Sequence, residues 1–541
     1  MKIRNLSLLL LVLVLVLSAC QSKETTKESI KPTEDEAKNL NKSGMPIVKD
    51  SITFNFFQGQ APATNDNWND VLIWNTYEKM TNINVKWKAI PYSGLSEKRN
   101  LALASGNYPD AFYGAWLPAT DLFKYGKQGV FLPLNDLIDE HAPNIKKLFE
   151  KYPSIQQGLT FPNGIIYSLP MIYDPEFTAG RMSTHLFVNE DWLKALGMDE
   201  PKTLEEYYQY LKAVKEQDPN GNGKNDEIPY GGTDIASIIN QLKGAWGLGN
   251  RGALHSYVDV DPDSGELRFI QKDPKYKELL QYAHKLYSEK LIQQNIFSIQ
   301  RSQYMATASK GLYGSIAAIN PDAILGQENY TSLQALEGPH GDHMFANFFH
   351  PLVNLGAFAM TNKNEHPVAT IKWIDYFYGQ EGQKLFFMGV EGKTYKETSD
   401  GDVKYLDKIT NNPDGLTFDQ AAAEYLTWPG GGYPGVVSRK FFKGSESQPT
   451  AIEAMKKKKD DLPKEVWPPF TYAEEESRDL ATIKADMDTY IEEMEAKFIT
   501  GEVPFSEWDQ FVNTLQDMGV EKFMEIQQAA YERYQSGLSE K

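Results

Sequence analysis

The 541-residue sequence predicts an α/β protein with more than one hydrophobic core. Strand-like and helix-like stretches alternate near the start of the body, as they do when helices cover a mostly parallel sheet. Similar stretches recur at 183–195, 356–362 and 368–379, so the alternation extends through the chain. Chains longer than about 250 residues usually divide into several cores.

The first elements of the body follow one another closely. A strand-like run at 51–59 precedes a helical stretch near 69–80. Large apolar residues alternate at 83–90 and indicate a second strand. Ser96, a favoured N-cap residue, is expected to begin a helix that stops at Gly106.

The C-terminal stretch is predicted to be helical. Thr471 and Glu474 have the spacing of a capping box. Apolar residues then recur at helical spacing from Leu480 to Phe498, and Gly501 ends the stretch. We interpret this apolar stripe as core packing in preference to a partner-binding face.

The N-terminus has the features of a secretory signal. Lys2 and Arg4 precede a short apolar run at 6–17, and small residues lead to Cys20, the only cysteine. The run is shorter than the roughly 20 apolar residues that span a bilayer. The string LSAC resembles the lipobox of bacterial lipoproteins, which implies that 1–19 is removed and that Cys20 carries a lipid anchor. An ordinary signal with an incidental cysteine is the alternative.

Composition excludes several classes of function. The formal net charge is −18, and loss of Lys2 and Arg4 with residues 1–19 takes it to −20. Such acidity argues against nucleic-acid binding and against attraction to anionic lipid. Residues 20–48 are polar and predict a disordered tether. The lysine run at 456–459 is interpreted as a solvated helix face, with an anion site as the weaker alternative.

The sharpest local motif is DPNGNGKNDE at 218–227. Oxygen-bearing side chains alternate through it, as in an EF-hand loop up to the ninth position, and such alternation suits a Ca²⁺ ion with six to eight oxygen ligands. The match fails at the twelfth position, which is Pro229, and Glu227 is the candidate replacement for the missing glutamate. A polar turn is the alternative, since these residue types also form turns. The predicted calcium is structural, with side chains and one carbonyl from Asp218, Asn220, Asn222, Lys224, Asp226 and Glu227.

Signatures of enzymes are missing from the sequence. It contains no HExxH, GxSxG or Walker A motif. Gly430, Gly432 and Gly435 spell GxGxxG, but Pro434 lies inside the motif and no clear strand precedes it, so we interpret it as a loop. Paired carboxylates, as in glycosidases, are not excluded among 73 acidic residues. The missing motifs are modest evidence against catalysis, and we expect no catalytic residues.

Several strings together resemble the extracellular solute-binding lipoproteins of ABC transporters, in particular the large oligosaccharide-binding branch of Paenibacillus-like and Bacillus-like bacteria, which is related to the alginate-binding proteins. They occur in order over nearly the whole chain. The strings are LSAC, ASGNYPDAFYG, VNEDWLKALGMDEPKTLEEYYQYLKAVKEQDPNGNGKNDEIP, ALEGPHG, IKWIDYFYGQEGQKLFFMGVEGKTY, WPPFTYAEEE and EEMEAKFITGEVPFSEWDQFV.

The resemblance implies a type II periplasmic-binding-protein fold, in which two α/β lobes close on a ligand. We expect the first lobe at 49–178 and 355–420, and the second at 179–354 and 421–541. The resemblance also implies the structural calcium, an oligosaccharide ligand of plant- or uronate-derived type, delivery to an ABC permease, and a monomer held at the outer face of the cell membrane by its lipid alone.

Candidate ligand contacts are aromatic and polar residues in loops that follow predicted strands. Sugar rings present C–H faces to aromatic rings, and their hydroxyls need polar partners. For each candidate, burial in a core is an equal alternative, and we expect half of the set to line the cleft. The candidates are Trp116, Tyr173, Asp174, Trp246, Glu391, Trp428 and Tyr433.

Two other functions remain open at this point. One is a secreted carbohydrate-active enzyme with carboxylates from both lobes, and the other is a peptide-binding or signalling receptor on the same fold.

Overall fold

The structure is a computed structural model, and it describes residues 30–182, 184–399 and 401–539. Cys20 and the predicted signal 1–19 lie outside the described residues. Among the helices in those ranges, none combines the length and the apolar character that crossing a membrane requires.

The first sheet has six strands in the order β14-β4-β11-β3-β1-β2. Five of these strands run in the same direction, and β11 is antiparallel to both of its neighbours. The prediction of a mostly parallel sheet is therefore confirmed. The strands are β1 (Ile52–Gln60), β2 (Ile83–Pro91), β3 (Ala111–Tyr113), β4 (Leu169–Tyr173), β11 (Leu352–Met360) and β14 (Gly435–Val437).

Helices cover this sheet and bury aromatic side chains from both faces, so that one hydrophobic core forms around it. Phe56 on β1 contacts Trp87 of β2 and Trp373 of a covering helix edge to face. The helices are Glu34–Asn39, Leu72–Thr81, Tyr92–Ser105, Ala119–Lys127, Asn135–His141, Pro143–Lys151, Pro153–Leu159, Pro367–Asp375, Gln380–Met388, Asp407–Thr410 and Phe418–Ala423.

The second sheet has four strands in the order β10-β5-β9-β6, and it belongs to separate hydrophobic clusters. Its strands are β5 (His185–Asn189), β6 (Ile228–Gly231), β9 (Tyr313–Ala318) and β10 (Tyr330–Ser332). Two hairpins, β7 (Val258–Val260) with β8 (Leu267–Phe269) and β12 (Tyr395–Glu397) with β13 (Val403–Tyr405), lie outside both sheets.

The helices around the second sheet include the three C-terminal ones, which pack into the larger hydrophobic core of this part. The helices of this part are Glu190–Leu196, Leu204–Glu216, Ala236–Leu242, Pro274–Ser288, Arg301–Ala308, Pro321–Leu325, Pro449–Lys458, Glu474–Thr500, Trp508–Asp517 and Val520–Ser539. Short 3₁₀ helices are Trp68–Asp70, Thr178–Arg181, Lys243–Trp246, Ile270–Lys272, Tyr376–Tyr378, Ser445–Ser447, Lys459–Asp461 and Phe505–Glu507.

The chain passes between the two sheets three times, and these passages are bonded to one another. Met182 and Phe348 form an antiparallel bridge. Beside it, the Phe349 amide donates to the Arg181 carbonyl at 2.8 Å, and Arg181 Nε donates to the Phe349 carbonyl at 2.9 Å. The Phe345 amide donates to the Asp461 carbonyl of the third passage at 2.8 Å. The α/β fold with two sheets and crossing segments agrees with the predicted class.

The structure differs from the predicted segments in two places. From Glu34 onward the predicted tether is folded, because Ile47 and Val48 enter the first core and Glu36 accepts the Ala369 amide at 2.9 Å. A segment with few apolar residues can fold in this way, because the first core already provides the apolar surface against which they pack. Several residues between 422 and 452 also pack into the first core, so we propose that the return to the second lobe begins after this stretch and not at 421.

Two predicted helix starts are also corrected. Ser96 lies inside the helix Tyr92–Ser105, which begins after Pro91, whereas the predicted stop at Gly106 is confirmed. The cap of the helix Glu474–Thr500 lies two residues later than predicted, at Ala473, whose amide donates to Glu476 at 2.8 Å.

The lysine run is not uniformly solvated. Lys458 is 1% exposed, and its ammonium group donates to Ser332 Oγ at 2.5 Å and to the Leu333 carbonyl. Burial lowers the pKa of Lys458 to about 7. One lysine of the four therefore belongs to the packing of its helix against β10.

Lys458 predicts a pH-dependent stability. An unfolded lysine has a pKa of about 10.4, so between pH 7 and 10 the unfolded state binds more protons and the unfolding free energy rises with pH, by at most about 1.4 kcal/mol per pH unit from this group. Lys458→Met should flatten that rise in urea unfolding at pH 7 and pH 9. Lys456→Met on the exposed face is the control, and an equal pH slope in wild type and Lys458→Met would contradict the prediction.

Candidate functional site

The candidate site lies at the edge of the first sheet where its parallel strands end. Trp116 follows β3, and Tyr173 and Asp174 follow β4. In the strand order β4 is two strands from β3, a separation of about 10 Å. The passage to the second sheet leaves from the same edge, through Thr178–Arg181. Ligands of open α/β sheets bind outside the carboxyl ends of the strands, and this is the edge that borders the second lobe.

Trp116 differs from the other tryptophans in its exposure. It is 43% exposed, and the other nine of the ten tryptophans, all within the described residues, are buried. Its ring meets Tyr92 edge to face, with the centroids 6.1 Å apart. An exposed indole held by another aromatic ring is a flat apolar surface for a ligand.

A glycine loop closes one side of the Trp116 ring. Gly430, Gly431 and Gly432 have φ of +92°, +76° and +84°, and the Tyr92 hydroxyl donates to the Gly431 carbonyl at 3.0 Å. A Cβ atom on Gly432 would lie 2.9 Å from Trp116 Nε1 and would collide with the Tyr92 hydroxyl. The loop interpretation of GxGxxG is thus confirmed, since β14 begins only at Gly435.

Polar groups gather beside Tyr173. Its hydroxyl donates to Glu446 Oε1 at 3.3 Å, and burial raises the pKa of both Tyr173 and Glu446. Asp174 is half-buried, and its Oδ1 accepts the Glu176 amide at 3.0 Å. Tyr433 is buried, and burial raises its pKa, with smaller effects in the same direction from nearby Tyr173 and Glu446.

Three predicted ligand contacts are buried in cores. Trp246 is 2% exposed, and its Nε1 donates to Glu278 at 3.2 Å. Trp428 is 4% exposed among phenylalanines and donates to the Tyr405 hydroxyl at 3.2 Å. Tyr433 packs against Phe386 in the first core. These positions favour the core alternative, because a side chain without accessible surface offers no face to a ligand.

Glu391 lies apart from the other candidates. It is exposed in the turn that precedes β12 and forms a bridge with Tyr395. The structure therefore brings Trp116, Tyr173 and Asp174 to one sheet edge and leaves Glu391 on a hairpin. Tyr92 and Glu446 were missed in the sequence, where a tyrosine at a helix start and one glutamate in a polar loop carry no distinguishing pattern.

The predicted calcium loop sits between a helix and a strand. The helix Leu204–Glu216 begins at a capping box of Thr203 and Glu206, and β6 follows the loop. Gly221 and Gly223 have φ of +70° and +74° and allow the tight turn.

Side-chain oxygens in this loop are already organised around its backbone. Asp218 accepts the amides of Asn222 at 3.1 Å and Gly223 at 2.7 Å. Asp226 accepts Nδ2 of Asn220 and of Asn222, each at 3.0 Å, and these bonds lower its pKa. The described residues contain no cluster of three His, Cys, Asp or Glu side chains at metal-binding spacing.

The carboxylate of Glu227 shows whether the loop residues suit a bound cation. Its Oε1 is buried and has no hydrogen-bond partner among the residues that the structure describes, and burial raises the pKa of Glu227. A buried carboxylate oxygen without a donor is costly unless a cation or proton satisfies it. With Asp218, Asp226 and two asparagine amides in the same ten residues, the donor set is all oxygen, which fits Ca²⁺. Lys224 is exposed, so its charged side chain does not occupy the interior of the loop.

The contrast between the two tryptophans predicts different losses of stability. Trp428→Ala should lower the unfolding free energy by about 3–5 kcal/mol, as expected for a large buried ring. Trp116→Ala should lower it by about 1 kcal/mol or less, because much of that ring is in solvent. Urea unfolding of both variants measures this, and equal losses would mean that Trp116 is a core residue.

Comparison with known proteins agrees with this architecture. The family model described as bacterial extracellular solute-binding protein matches residues 60–384. The fructooligosaccharide ABC transporter substrate-binding protein FusA of Streptococcus pneumoniae serotype 4 is 29% identical over 542 residues, covering 96% of each chain. Lipoprotein LipO of Bacillus subtilis is 26% identical and covers 83% of this chain and 86% of its own.

A solved structure extends the similarity to the fold. The S. pneumoniae FusA EF-hand mutant in complex with fructo-nystose superposes with a TM-score of 0.74 at 26% identity, covering 90% of this chain and 100% of that one. The family model spans more than half of the sequence, and the two-sheet architecture is that of its solved relatives. The chain belongs to the bacterial extracellular solute-binding protein family.

Proposed function

We propose that the protein captures an oligosaccharide between its two lobes and delivers it, chemically unchanged, to an ABC permease. The observation that carries the proposal is the exposed indole of Trp116 at the sheet edge that borders the second lobe. Family membership supports the binding role, and the relative FusA is described as fructooligosaccharide-binding.

The chemistry of the edge suits a sugar. The indole face of Trp116 would stack on the C–H face of one sugar ring. Between two aromatic rings such a contact contributes about 0.5–1.5 kcal/mol beyond the burial of area, and we expect a similar contribution from the sugar. Asp174, Tyr173 and Glu446 would exchange hydrogen bonds with hydroxyl groups. In the proposed closure the lobes would rotate about the three passages, and a ligand that contacts both lobes would favour the closed state.

Sugar binding gives the direct test. Nystose is the first probe, because the relative FusA is described as fructooligosaccharide-binding and one of its structures as a complex with fructo-nystose. Isothermal titration calorimetry should show binding to wild type. Trp116→Ala, which loses the stacking face, should have a dissociation constant at least about tenfold higher. Small-angle scattering should show a smaller radius of gyration with sugar, and chromatography should show the sugar intact.

The control for this test is Leu101→Ala, since Leu101 is exposed on the helix that follows β2 and has no part in the proposed contact. Released monosaccharides would establish the carbohydrate-active enzyme instead. Binding of peptides but of no glycan in a thermal-shift panel would establish the peptide receptor.

The loop 218–227 is proposed to hold a structural Ca²⁺ through side-chain oxygens of Asp218, Asn220, Asn222, Asp226 and Glu227 and the carbonyl of Lys224. The buried, unpartnered oxygen of Glu227 supports this, and so does the EF-hand named for the relative FusA. The ion would supply positive charge that ties the helix before the loop to β6 and would take no part in ligand chemistry.

Calcium removal should destabilise the protein. At free Ca²⁺ of 100 times its dissociation constant, binding to the folded state adds about 2.7 kcal/mol, so EDTA should lower the melting temperature and Ca²⁺ should restore it better than Mg²⁺. Asp226→Asn should abolish the response, whereas Asp263→Asn in another acidic turn should retain it. A wild-type melting temperature indifferent to EDTA would leave the loop as a polar turn.

Lipid attachment at Cys20 is proposed to hold the protein at the outer face of the cell membrane as a monomer. The support is the lipobox-like sequence and the lipoprotein description of the relative LipO. Cys20→Ser should move the protein from the membrane fraction to the soluble fraction. Stable anchoring takes about two acyl chains, and the variant has no thiol to carry them. Unchanged membrane retention of Cys20→Ser would refute the anchor.

A further inference from the structure

The backbone that carries Trp116 has an unusual conformation. Trp116 has φ of +50°, in the left-handed region that a bulky side chain rarely adopts. The preceding segment leaves the sheet between two bonds to β11, from the Gly114 amide to Ala357 at 2.7 Å and from the Leu117 amide to Gly356 at 3.2 Å. The carbonyls of Ala115 and Trp116, between these bonds, point out of the ladder.

Arg99 satisfies both of these carbonyls. Its Nη1 donates to the Ala115 carbonyl at 3.0 Å and to the Trp116 carbonyl at 2.7 Å. The side chain is 6% exposed, and its Nη2 donates to Ser96 Oγ at 3.5 Å. Burial lowers the pKa of Arg99, and the charge of Asp121 partly offsets this. Burial of a guanidinium is unfavourable unless its donors are satisfied, and here two backbone carbonyls at Trp116 and the residue before it accept from Arg99.

We propose that Arg99 is a positioning residue for the ligand site: its guanidinium locks the left-handed backbone at Trp116 and so sets the orientation of the exposed indole. Gly432 and Tyr92 complete the support, since they hold the ring on its other sides. The consequence for binding rests on the proposed sugar function, whereas the effect on Trp116 itself does not depend on any ligand.

The first arm of the test reports on Trp116 without a ligand. In protein labelled with 5-fluorotryptophan, Trp116→Phe assigns the fluorine resonance of Trp116 among the ten. Arg99→Met keeps the apolar stem and removes the guanidinium, so it should shift or broaden the Trp116 resonance and leave the nine buried ones in place. Lys98→Met, exposed on the same helix, is the control and should change nothing.

The second arm reports on binding of nystose. Arg99→Met should weaken binding by about tenfold, and in the Trp116→Ala background it should cause no further loss, because the two residues act through one contact. If Arg99→Met does not fold, Arg99→Lys carries both arms, with a smaller shift of the same resonance expected because an ammonium group bonds the carbonyls from one point.

Two results would overturn the proposal. One is a folded Arg99 variant whose Trp116 resonance is unchanged. The other is full additivity of Arg99→Met and Trp116→Ala in nystose affinity. If wild type binds no nystose or other glycan while the resonance shifts as expected, the sugar function fails and the positioning of Trp116 by Arg99 stands.

Discussion

The backbone bonding among the three passages between the sheets is the constraint on which the rest of the structure depends. The Met182–Phe348 bridge and the bonds between Arg181 and Phe349 tie the first two passages, and Phe345 ties the third. Because β11 enters the first sheet from this junction, it must run against its neighbours. The same junction puts the carboxyl ends of β3 and β4 beside the second lobe, which is where an open α/β sheet can hold a ligand.

Burial then divides the aromatic residues into two roles. Nine tryptophans and most tyrosines fill the cores. There the burial of apolar area stabilises the fold by roughly 25 cal/mol per Å² removed from water. A ring packed in this way can meet a ligand only if the core opens. The loss of packing free energy would then far exceed the free energy gained from one stacking contact. Trp116 escapes this because the chain leaves the sheet at Gly114 and returns only at Leu117.

The sequence was sufficient for features encoded locally. The helix stop at Gly106, the glycines of the loop 218–227 and the loop character of 430–435 each depend on residues a few positions apart. The choice among Trp116, Trp246 and Trp428 could not be made in this way, because exposure depends on partners far along the chain, such as Tyr405 beside Trp428. The folding of 34–48 was missed for the same reason, since Glu36 bonds Ala369.

The distribution of function over the two lobes follows from these separate cores. Each core has its own helices, so the proposed hinge motion at the passages would leave both interiors packed while the lobe surfaces move relative to each other. The loop 218–227 belongs to the second lobe between a helix and β6, away from Trp116 on the first sheet. A cation there can stiffen one lobe without entering the cleft, and a ligand then shifts the open–closed balance only through its unequal affinity for the two states.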